Sequence, residues 1–154
     1  MVCSDSISQG IGEDTAGKII IEKLENFGIK NIEYTIIADD FDTIQQHAKN
    51  FSENEYNLVI FVGGIGLSPR DVTPDVIQPL LEVEISGIME TAQNYGQDCI
   101  QFSMLSRGVA GFINNTLVLT FPGFKLLLRN IWMLFFLMFC MCLKLKKEQN
   151  IKKN

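Results

Sequence analysis

The feature that most constrains the fold is a continuous apolar run that ends in glycines. The segment "NLVIFV" at 57–62 is followed by "GGIG" and then by "LSPRDVTPD". A short apolar run without polar alternation is typical of a strand that is buried on both faces of a parallel sheet. Parallel strands need crossover connections, which are usually helices, so this run predicts an α/β domain.

The segments around this run alternate between helical and strand-like patterns. Apolar spacing predicts helices in "TAGKIIIEKLENFG", "FDTIQQHAKNF" and "GIMETAQNYG", and strands in "NIEYTIIA" and "NTLVLTFPG". Asp14 or Thr15 is a natural N-cap for the first helix, and Thr73 followed by Pro74 predicts a capped start of another. We therefore predict a three-layer α/β/α domain with a mainly parallel sheet.

Length, charge and cysteine content narrow the class of protein. The 154 residues suffice for one domain with a sizeable core. A net charge of -5 and a pI near 4.8 argue against nucleic-acid binding through the phosphate backbone. The cysteines form no C-x-x-C pair, and no signal peptide is recognised, so we expect a cytoplasmic protein. A metal site at Cys140 and Cys142 is disfavoured, and His47 is expected to be a helix residue beside an apolar stripe.

Glycines and polar residues follow the predicted strands. They form four loops, "SDS" at 4–6, "ADD" at 38–40, "GGIGLSPRD" at 63–71 and "FPG" at 121–123. In open parallel sheets, ligands bind outside the carboxyl ends of the strands, so these loops form the candidate site. Glycines let the backbone approach a ligand closely, and exposed N–H groups in such a turn can cradle phosphate. The spacing matches neither the dinucleotide fingerprint nor the P-loop.

Two acidic residues from different loops are candidate metal ligands. Asp39 and Asp71 could meet around Mg²⁺, which prefers oxygen ligands and usually shares them with substrate phosphates. This arrangement points to phosphoryl or nucleotidyl transfer. Structural interpretations are equally open, because Asp39 could instead cap the following helix. Asp71 could instead pair with Arg70 or cap the turn before Thr73.

The chain resembles the molybdenum-cofactor biosynthesis G-domain family, which includes molybdopterin adenylyltransferases and gephyrin-like G domains. The resemblance rests on ordered segments, "SDS" with "EDTAG", "GGIGLSPRDVTPD", "LSRGVAG" and "TLVLTFPG", and covers about residues 1–123. It implies a compact molybdopterin-binding α/β domain, commonly a homotrimer, that uses Mg-ATP to transfer AMP to the phosphate of molybdopterin. A fused or separate molybdenum-insertion domain is a further partner that the resemblance implies.

The resemblance also implies roles for individual residues. Asp39 and Asp71 match acidic residues that serve catalysis and Mg²⁺ handling. The positions that match nucleotide-binding loops are Gly63, Gly64, Ile65, Gly66, Pro122 and Gly123. The positions that match substrate-binding segments are Asp5, Asp14, Ser106 and Arg107. Positioning, charge neutralisation by a metal and an in-line phosphate nucleophile would suffice for the transfer.

The chain departs from the family pattern at three places. Ile65 stands where the family has Thr, which removes a hydroxyl that could bond a phosphate. Only Val2 and Cys3 lead into the "SDS" loop from Met1, so a central strand is expected to be shortened or missing. Phe124 stands where the family has Ser, and it opens an apolar and then lysine-rich tail over residues 124–154.

The tail leaves three functional hypotheses open. Residues 131–143 are all apolar, but this run is shorter than the roughly 20 residues that a membrane-spanning helix needs. Membrane contact is therefore not favoured, and we prefer the interpretation that the tail is not family sequence, as from a retained intron or a frameshift. Such a tail predicts poor solubility. The hypotheses are an adenylyltransferase, a molybdopterin-binding module without turnover, and a truncated isoform with a membrane-associated tail.

Overall fold

The computed structural model describes residues 1–123, and within them a six-stranded sheet lies between two layers of helices. The strands are β1 (Val2–Cys3), β2 (Ile36–Ile37), β3 (Leu58–Val62), β4 (Val83–Glu84), β5 (Ala110–Ile113) and β6 (Thr116–Phe121). The helices are α1 (Asp5–Ser8), α2 (Ala16–Asn26), α3 (Phe41–Glu53), α4 (Thr73–Ile77) and α5 (Ser86–Cys99). Two 3₁₀ turns cover Gln78–Leu80 and Gln101–Leu105.

The sheet has the strand order β2-β1-β3-β6-β5-β4. The first four strands of this order are parallel, whereas β5 and β4 are antiparallel to their neighbours. The longest ladder joins β3 to β6, from Leu58 opposite Leu117 to Val62 opposite Phe121. The predicted mainly parallel α/β domain is confirmed, and the carboxyl ends of its four parallel strands lie at one edge.

Each face of the sheet is covered by its own apolar cluster. On one face, Ile60 and Val62 pack with α2 and α5 through side chains that include Ile20, Leu24, Ile88 and Met89. On the other face, Val59 and Phe61 pack with α3 and α4 through side chains that include Ile44, Phe51, Val76 and Ile77. Successive residues of a strand point to opposite faces, so burial on both sides accounts for the lack of polar alternation in β3.

The helix starts agree only partly with the predicted caps. Asp14 caps α2, because its Oδ1 accepts a hydrogen bond of 2.9 Å from the N–H of Gly17. Thr73 is the first residue of α4 and is fully buried, and no side chain caps this helix, so its prediction as a cap is wrong. His47 lies on α3, half-buried, with its ring 5.9 Å from that of Phe51, as expected.

One predicted strand is shorter than its sequence pattern, and the central strand is short, as expected. The segment "NIEYTIIA" pairs only at Ile36–Ile37, and the central strand β1 is present but covers only Val2–Cys3. Both strands are short for the same reason, because β1 lies beside β2 and pairs with it at only two positions. A strand forms only where an adjacent strand accepts and donates its hydrogen bonds, whatever its propensity.

Predictions for residues 124–154 lie outside the described residues. They concern Phe124, the apolar run 131–143, Cys140, Cys142 and the expected effect of the tail on membrane contact and solubility. Of the helices within residues 1–123, none combines the length and the apolar character needed to cross a bilayer.

Candidate functional site

The four predicted loops meet at the carboxyl edge of the sheet. The loop after β3 is joined to the end of β6 by a hydrogen bond of 2.8 Å from Gly63 N to Phe121 O. The loop after β2 is joined to the loop after β1, because Asp39 N donates to Asp5 Oδ1 over 3.1 Å. The expectation that parallel strands bring these loops together is therefore confirmed.

Two glycines of the loop after β3 adopt backbone conformations that other residues rarely reach. Gly63 has φ 104° and Gly64 has φ 62°. A Cβ on Gly63 would overlap the carbonyl oxygen of Cys3, and a Cβ on Gly64 would overlap Thr73 Oγ1. Both the left-handed backbone and the close approach of neighbours require glycine here.

Three consecutive carbonyl groups of this loop accept hydrogen bonds from the protein. Gly64 O accepts from Thr73 N over 3.1 Å, Ile65 O accepts from Arg107 N over 2.9 Å, and Gly66 O accepts from Arg107 Nε over 2.8 Å. Within residues 1–123, the N–H groups of Gly64, Ile65 and Gly66 have no hydrogen-bond partner. Successive free N–H groups of this kind form a concavity that attracts anions.

Arg107 supports the glycine loop through its guanidinium group. Besides its bond to Gly66, its Nη1 donates to both carboxylate oxygens of Asp75 at 3.0 Å, and its Nη2 donates to Asp71 O. Each guanidinium nitrogen thus has a partner within the protein. A substrate-binding role for Arg107 stays a prediction, and its contacts make it a support of the glycine loop and of the Asp71 backbone.

Asp39 is not the cap of α3. The following residue, Asp40, takes that position and accepts from Thr43 N over 2.9 Å and from Thr43 Oγ1 over 2.6 Å. Asp39 Oδ1 is buried beside Gly64 and has no hydrogen-bond partner within residues 1–123. Burial raises the pKa of the Asp39 carboxyl, and the negative charges of Asp5 and Asp71 raise it further.

Asp71 caps the turn formed by residues 68–71. Its Oδ2 accepts from Ser68 N over 2.8 Å, while the guanidinium of Arg70 pairs with Asp5 Oδ2 at 2.8 Å. Of the two structural interpretations, the turn cap is confirmed and the ion pair with Arg70 is wrong. Asp5 therefore joins three loops, since it also accepts from Asp39 N.

The acidic residues do not form a complete metal cage. In the described part of the chain, no three side chains of His, Cys, Asp or Glu are arranged to hold a metal ion. Mg²⁺ is usually bound by one or two protein carboxylates and completes its shell with water and substrate phosphates. The unsatisfied buried oxygen of Asp39, close enough to Asp71 to feel its charge, fits that mode.

The remaining predicted residues occupy different positions around the site. Ile65 is buried, with only 4% of the residue exposed. Ser106 and Pro122 line one cavity of about 20 Å³, room for a single water. Asp14 is buried and its second oxygen accepts from the Tyr34 hydroxyl over 2.6 Å. Gly123 is exposed.

Three residues near the loop were not predicted for the site. Asp75 orients Arg107, Thr73 is buried beneath Gly64, and Cys3 lies beneath Gly63. Burial raises the pKa of the Cys3 thiol to about 12, and the charge of Asp39 adds to this shift, so the thiol is neutral. No local pattern identifies these residues, because each acts through a partner that is distant in sequence.

Comparison with known proteins agrees with this site. The family model described as a probable molybdopterin binding domain matches residues 1–140. The chain is 35% identical over 134 residues to gephyrin of Dictyostelium discoideum, covering 80% of this chain but only 18% of gephyrin. It is 32% identical over 126 residues to molybdenum cofactor biosynthesis protein B of Staphylococcus aureus, covering 79% of this chain and 75% of that protein.

Solved structures show the same architecture. A molybdopterin biosynthesis protein from Mycobacterium abscessus superposes with a TM-score of 0.86 and 28% identity, covering 99% of this chain and 95% of that one. The match to the family model and the similarity to the bacterial protein each extend over most of the chain. The chain therefore belongs to the probable molybdopterin binding domain family.

Proposed function

We propose that the chain acts in molybdenum cofactor biosynthesis, as a molybdopterin adenylyltransferase that transfers AMP from Mg-ATP to the phosphate of molybdopterin. The observation that carries this proposal is the glycine loop, in which the carbonyls of Gly64, Ile65 and Gly66 are held by the protein while their N–H groups have no partner within residues 1–123. A set of such N–H groups beside the half-buried carboxylates of Asp39 and Asp71 suits a reaction between phosphates.

The loop binds phosphate oxygens without needing to rearrange. Its conformation is determined by the two glycines and by Arg107, so the loop is already held in place before a ligand arrives. Preorganised donors are more effective than mobile ones, because the protein does not reorganise when charge develops. Ile65 contributes its backbone N–H to this set, and its buried side chain contributes packing.

The acidic residues complete the site on the other side of the loop. Asp39 and Asp71 would hold Mg²⁺, which when bound neutralises the triphosphate and favours departure of pyrophosphate. Asp5 orients Asp39 through the backbone and keeps Arg70 at the rim of the site. Ser106 and Pro122, which line the same small cavity, are proposed to contact the substrates.

The reaction needs no covalent intermediate with the protein. An oxygen of the molybdopterin phosphate attacks the α-phosphorus of ATP, a new P–O bond forms, and the bond to the β-phosphate oxygen breaks. Pyrophosphate leaves with the electron pair of that bond, so atoms and charge balance. The residues of this chain bind and orient the two substrates and exclude water, which is the main requirement of such a displacement.

The direct test is an assay of AMP transfer from ATP to molybdopterin with the full chain. Asp39→Asn and Asp71→Asn should each lower the transfer rate by at least about 100-fold, because each removes a charge that faces the metal. The matched control is Asp98→Asn, which changes the same charge at an exposed position on α5. Full activity of Asp71→Asn, or equal losses in the control, would contradict the assignment.

A molybdopterin-binding module without turnover is the second candidate. It is favoured by Ile65, because the apolar side chain lacks the hydroxyl that the family places in the nucleotide loop. The same assay separates the two functions, since this candidate predicts molybdopterin binding without release of pyrophosphate. A homotrimer, a molybdenum-insertion partner and a cytoplasmic location are proposed with either function.

A further inference from the structure

Two buried oxygens without hydrogen-bond partners lie beneath the glycine loop. Among residues 1–123, the buried side-chain oxygens that lack a partner are Asp39 Oδ1, Thr73 Oγ1 and Thr116 Oγ1. The first two both lie within 3.0 Å of the position that a Cβ on Gly64 would occupy. Burying a polar atom without a partner costs free energy, so such atoms are rare in native proteins. Two of them beside one glycine need an explanation.

The Thr73 hydroxyl has no role in the start of its helix. Thr73 is the first residue of α4 and is fully buried, and no side chain caps this helix. Its backbone N–H donates to Gly64 O over 3.1 Å, so the residue is fixed against the loop by its main chain. Valine has nearly the same shape as threonine and would fill this position without burying an unpaired hydroxyl. Packing alone therefore does not account for a hydroxyl here.

Asp39 is fixed from the opposite side of the same space. Its backbone N–H donates to Asp5 Oδ1 over 3.1 Å, while its own Oδ1 lies near Gly64. Because Gly64 has no side chain, the space beside it is shared by the Asp39 carboxylate and the Thr73 hydroxyl. A Cβ at this position would overlap Thr73 Oγ1. The glycine thus serves the approach of these two side chains as well as the turn of the loop.

The two groups are chemically complementary. A hydroxyl has one hydrogen to donate, and an ionised carboxylate only accepts, with about four lone-pair sites on its two oxygens. A hydrogen bond from Thr73 would occupy one of these sites and leave the others for a cation. Hydrogen bonds to a charged acceptor are roughly twice as strong as those between neutral groups. The Thr73 hydroxyl also lies beside the Cys3 thiol, but a thiol is a weak hydrogen-bond partner.

We propose that Thr73 is a positioning residue for Asp39, whose carboxylate it fixes by donating its hydroxyl hydrogen to Oδ1. This inference rests on the proposed function, in which Asp39 holds the Mg²⁺ that accompanies ATP. Thr73 acts through Asp39 and is not itself a ligand of the metal. Partners that orient a metal-binding side chain in this way typically change metal affinity or activity by about 10- to 100-fold when they are removed.

Two substitutions at this position should have opposite effects on stability and on binding. Thr73→Val removes the hydroxyl and keeps the branched shape, so the thermal midpoint of the ligand-free chain should stay the same or rise. Thr73→Ser keeps the hydroxyl and removes a buried methyl group, so the midpoint should fall by a few degrees. A purely structural role predicts that binding follows stability, whereas positioning of Asp39 predicts that binding follows the hydroxyl.

The test measures binding of α,β-methylene-ATP to the full chain by isothermal titration calorimetry, with Mg²⁺ and with EDTA. This analogue cannot be cleaved between its α- and β-phosphorus atoms, so binding is read without turnover. The gain in affinity that Mg²⁺ gives reports how well the protein holds the metal. We expect Thr73→Val to reduce this gain at least about tenfold, and Thr73→Ser to retain it.

The matched control is Thr116→Val, the same exchange at the other unpaired buried hydroxyl. Thr116 is fully buried and begins β6, at the end of the strand opposite to Phe121 and the glycine loop. Its substitution should leave the Mg²⁺-dependent gain unchanged. An equal gain in the wild type and Thr73→Val, an equal loss in Thr116→Val, or no gain in the wild type would each overturn the proposal.

An assay of AMP transfer separates this inference from the proposed function. If the wild type transfers no AMP but its Mg²⁺-dependent gain depends on the Thr73 hydroxyl, the adenylyltransferase assignment fails and the role of Thr73 is supported. If the wild type transfers AMP and Thr73→Val keeps both the rate and the Mg²⁺-dependent gain, the assignment stands and the role of Thr73 is refuted.

Discussion

At the carboxyl end of the sheet, the carbonyls of Gly64, Ile65 and Gly66 each accept a hydrogen bond from Thr73 or Arg107. At the amino end, the backbone of residues 31–34 makes no such bond within residues 1–123, and a cavity of about 840 Å³ separates it from β3. The same sheet thus ends in a tightly held loop on one side and at a cavity on the other.

This difference indicates that the two ends of the sheet have different roles. The carboxyl end holds its donors in place, as a site for phosphate chemistry requires. The amino end contributes less stability than its strand pattern allows, because backbone that is unpaired within residues 1–123 and a buried ammonium remain there. Changes at the carboxyl end should therefore affect activity as well as stability, and changes at the amino end should affect stability alone.

The largest effect is expected from Gly63→Ala, which changes the backbone of the glycine loop. The added Cβ overlaps the carbonyl oxygen of Cys3, and the φ of 104° strains any residue other than glycine. We expect a loss of at least about 2 kcal/mol in the free energy of unfolding, measured by urea denaturation, together with loss of AMP transfer.

The matched control is Gly87→Ala, in α5. A Cβ there meets no atom within 4 Å, so alanine should stabilise the helix by roughly 0.5–1 kcal/mol. Equal destabilisation by both substitutions would show that the glycine loop is not specially constrained.

The second prediction concerns Arg107→Lys, which keeps the positive charge but loses the planar guanidinium group. Lysine cannot donate together to Gly66 O, Asp71 O and both oxygens of Asp75. We expect AMP transfer to fall about 10- to 100-fold through kcat, with a small change in unfolding midpoint. The control is Lys18→Arg, an exposed exchange on α2. An unchanged kcat would remove Arg107 from the positioning of the loop.

The third prediction is a pH dependence at the carboxyl end. The pKa of Asp39 is raised above 3.8, first by burial and then by nearby negative charges. Its carboxylate, which faces the metal, is lost as pH falls through that raised pKa. The acid limb of kcat/KM should therefore lie above pH 3.8, at saturating Mg²⁺, and should be absent from any residual activity of Asp39→Asn. If the acid limb of kcat/KM does not lie above pH 3.8, or is the same in Asp39→Asn, Asp39 takes no part in the mechanism.

The smallest effect is expected at the amino end, from the Met1 ammonium. Burial lowers its pKa from 8.0, so the folded state binds fewer protons than the unfolded state between the lowered pKa and 8.0. Stability should then increase as pH rises through that interval, as measured from urea midpoints. Nα-acetylation removes the titrating group, so persistence of the same slope in the acetylated chain would refute its origin in Met1.

Much of the fold could be predicted from the sequence, because the relevant patterns are local. The apolar run of β3, its glycine stop and the helical spacing of α2 and α3 each depend on residues that are neighbours in the chain. The candidate loops followed from the same reasoning, since parallel strands place their carboxyl ends together. Strand lengths could not be predicted this way, as β2 shows, because pairing depends on the neighbouring strand.

Partners of individual side chains were the least predictable. The adjacent residues Asp39 and Asp40 are both suited to cap α3, and the structure gives the cap to Asp40. Arg70 lies next to Asp71 in sequence but pairs with Asp5 across the site. Such choices depend on distances between loops that are far apart along the chain, which no local pattern contains.

The sequence by itself therefore determined the class of domain, the position of the glycine loop and the residue types that surround it. Tertiary structure decided that Arg107 supports the loop, that Asp39 Oδ1 is buried without a hydrogen-bond partner within residues 1–123, and that a cavity of about 840 Å³ lies at the other end of the sheet. The physical reason is that backbone preference and apolar periodicity act over a few residues, whereas hydrogen-bond partners, burial and cavities arise only when distant segments pack together.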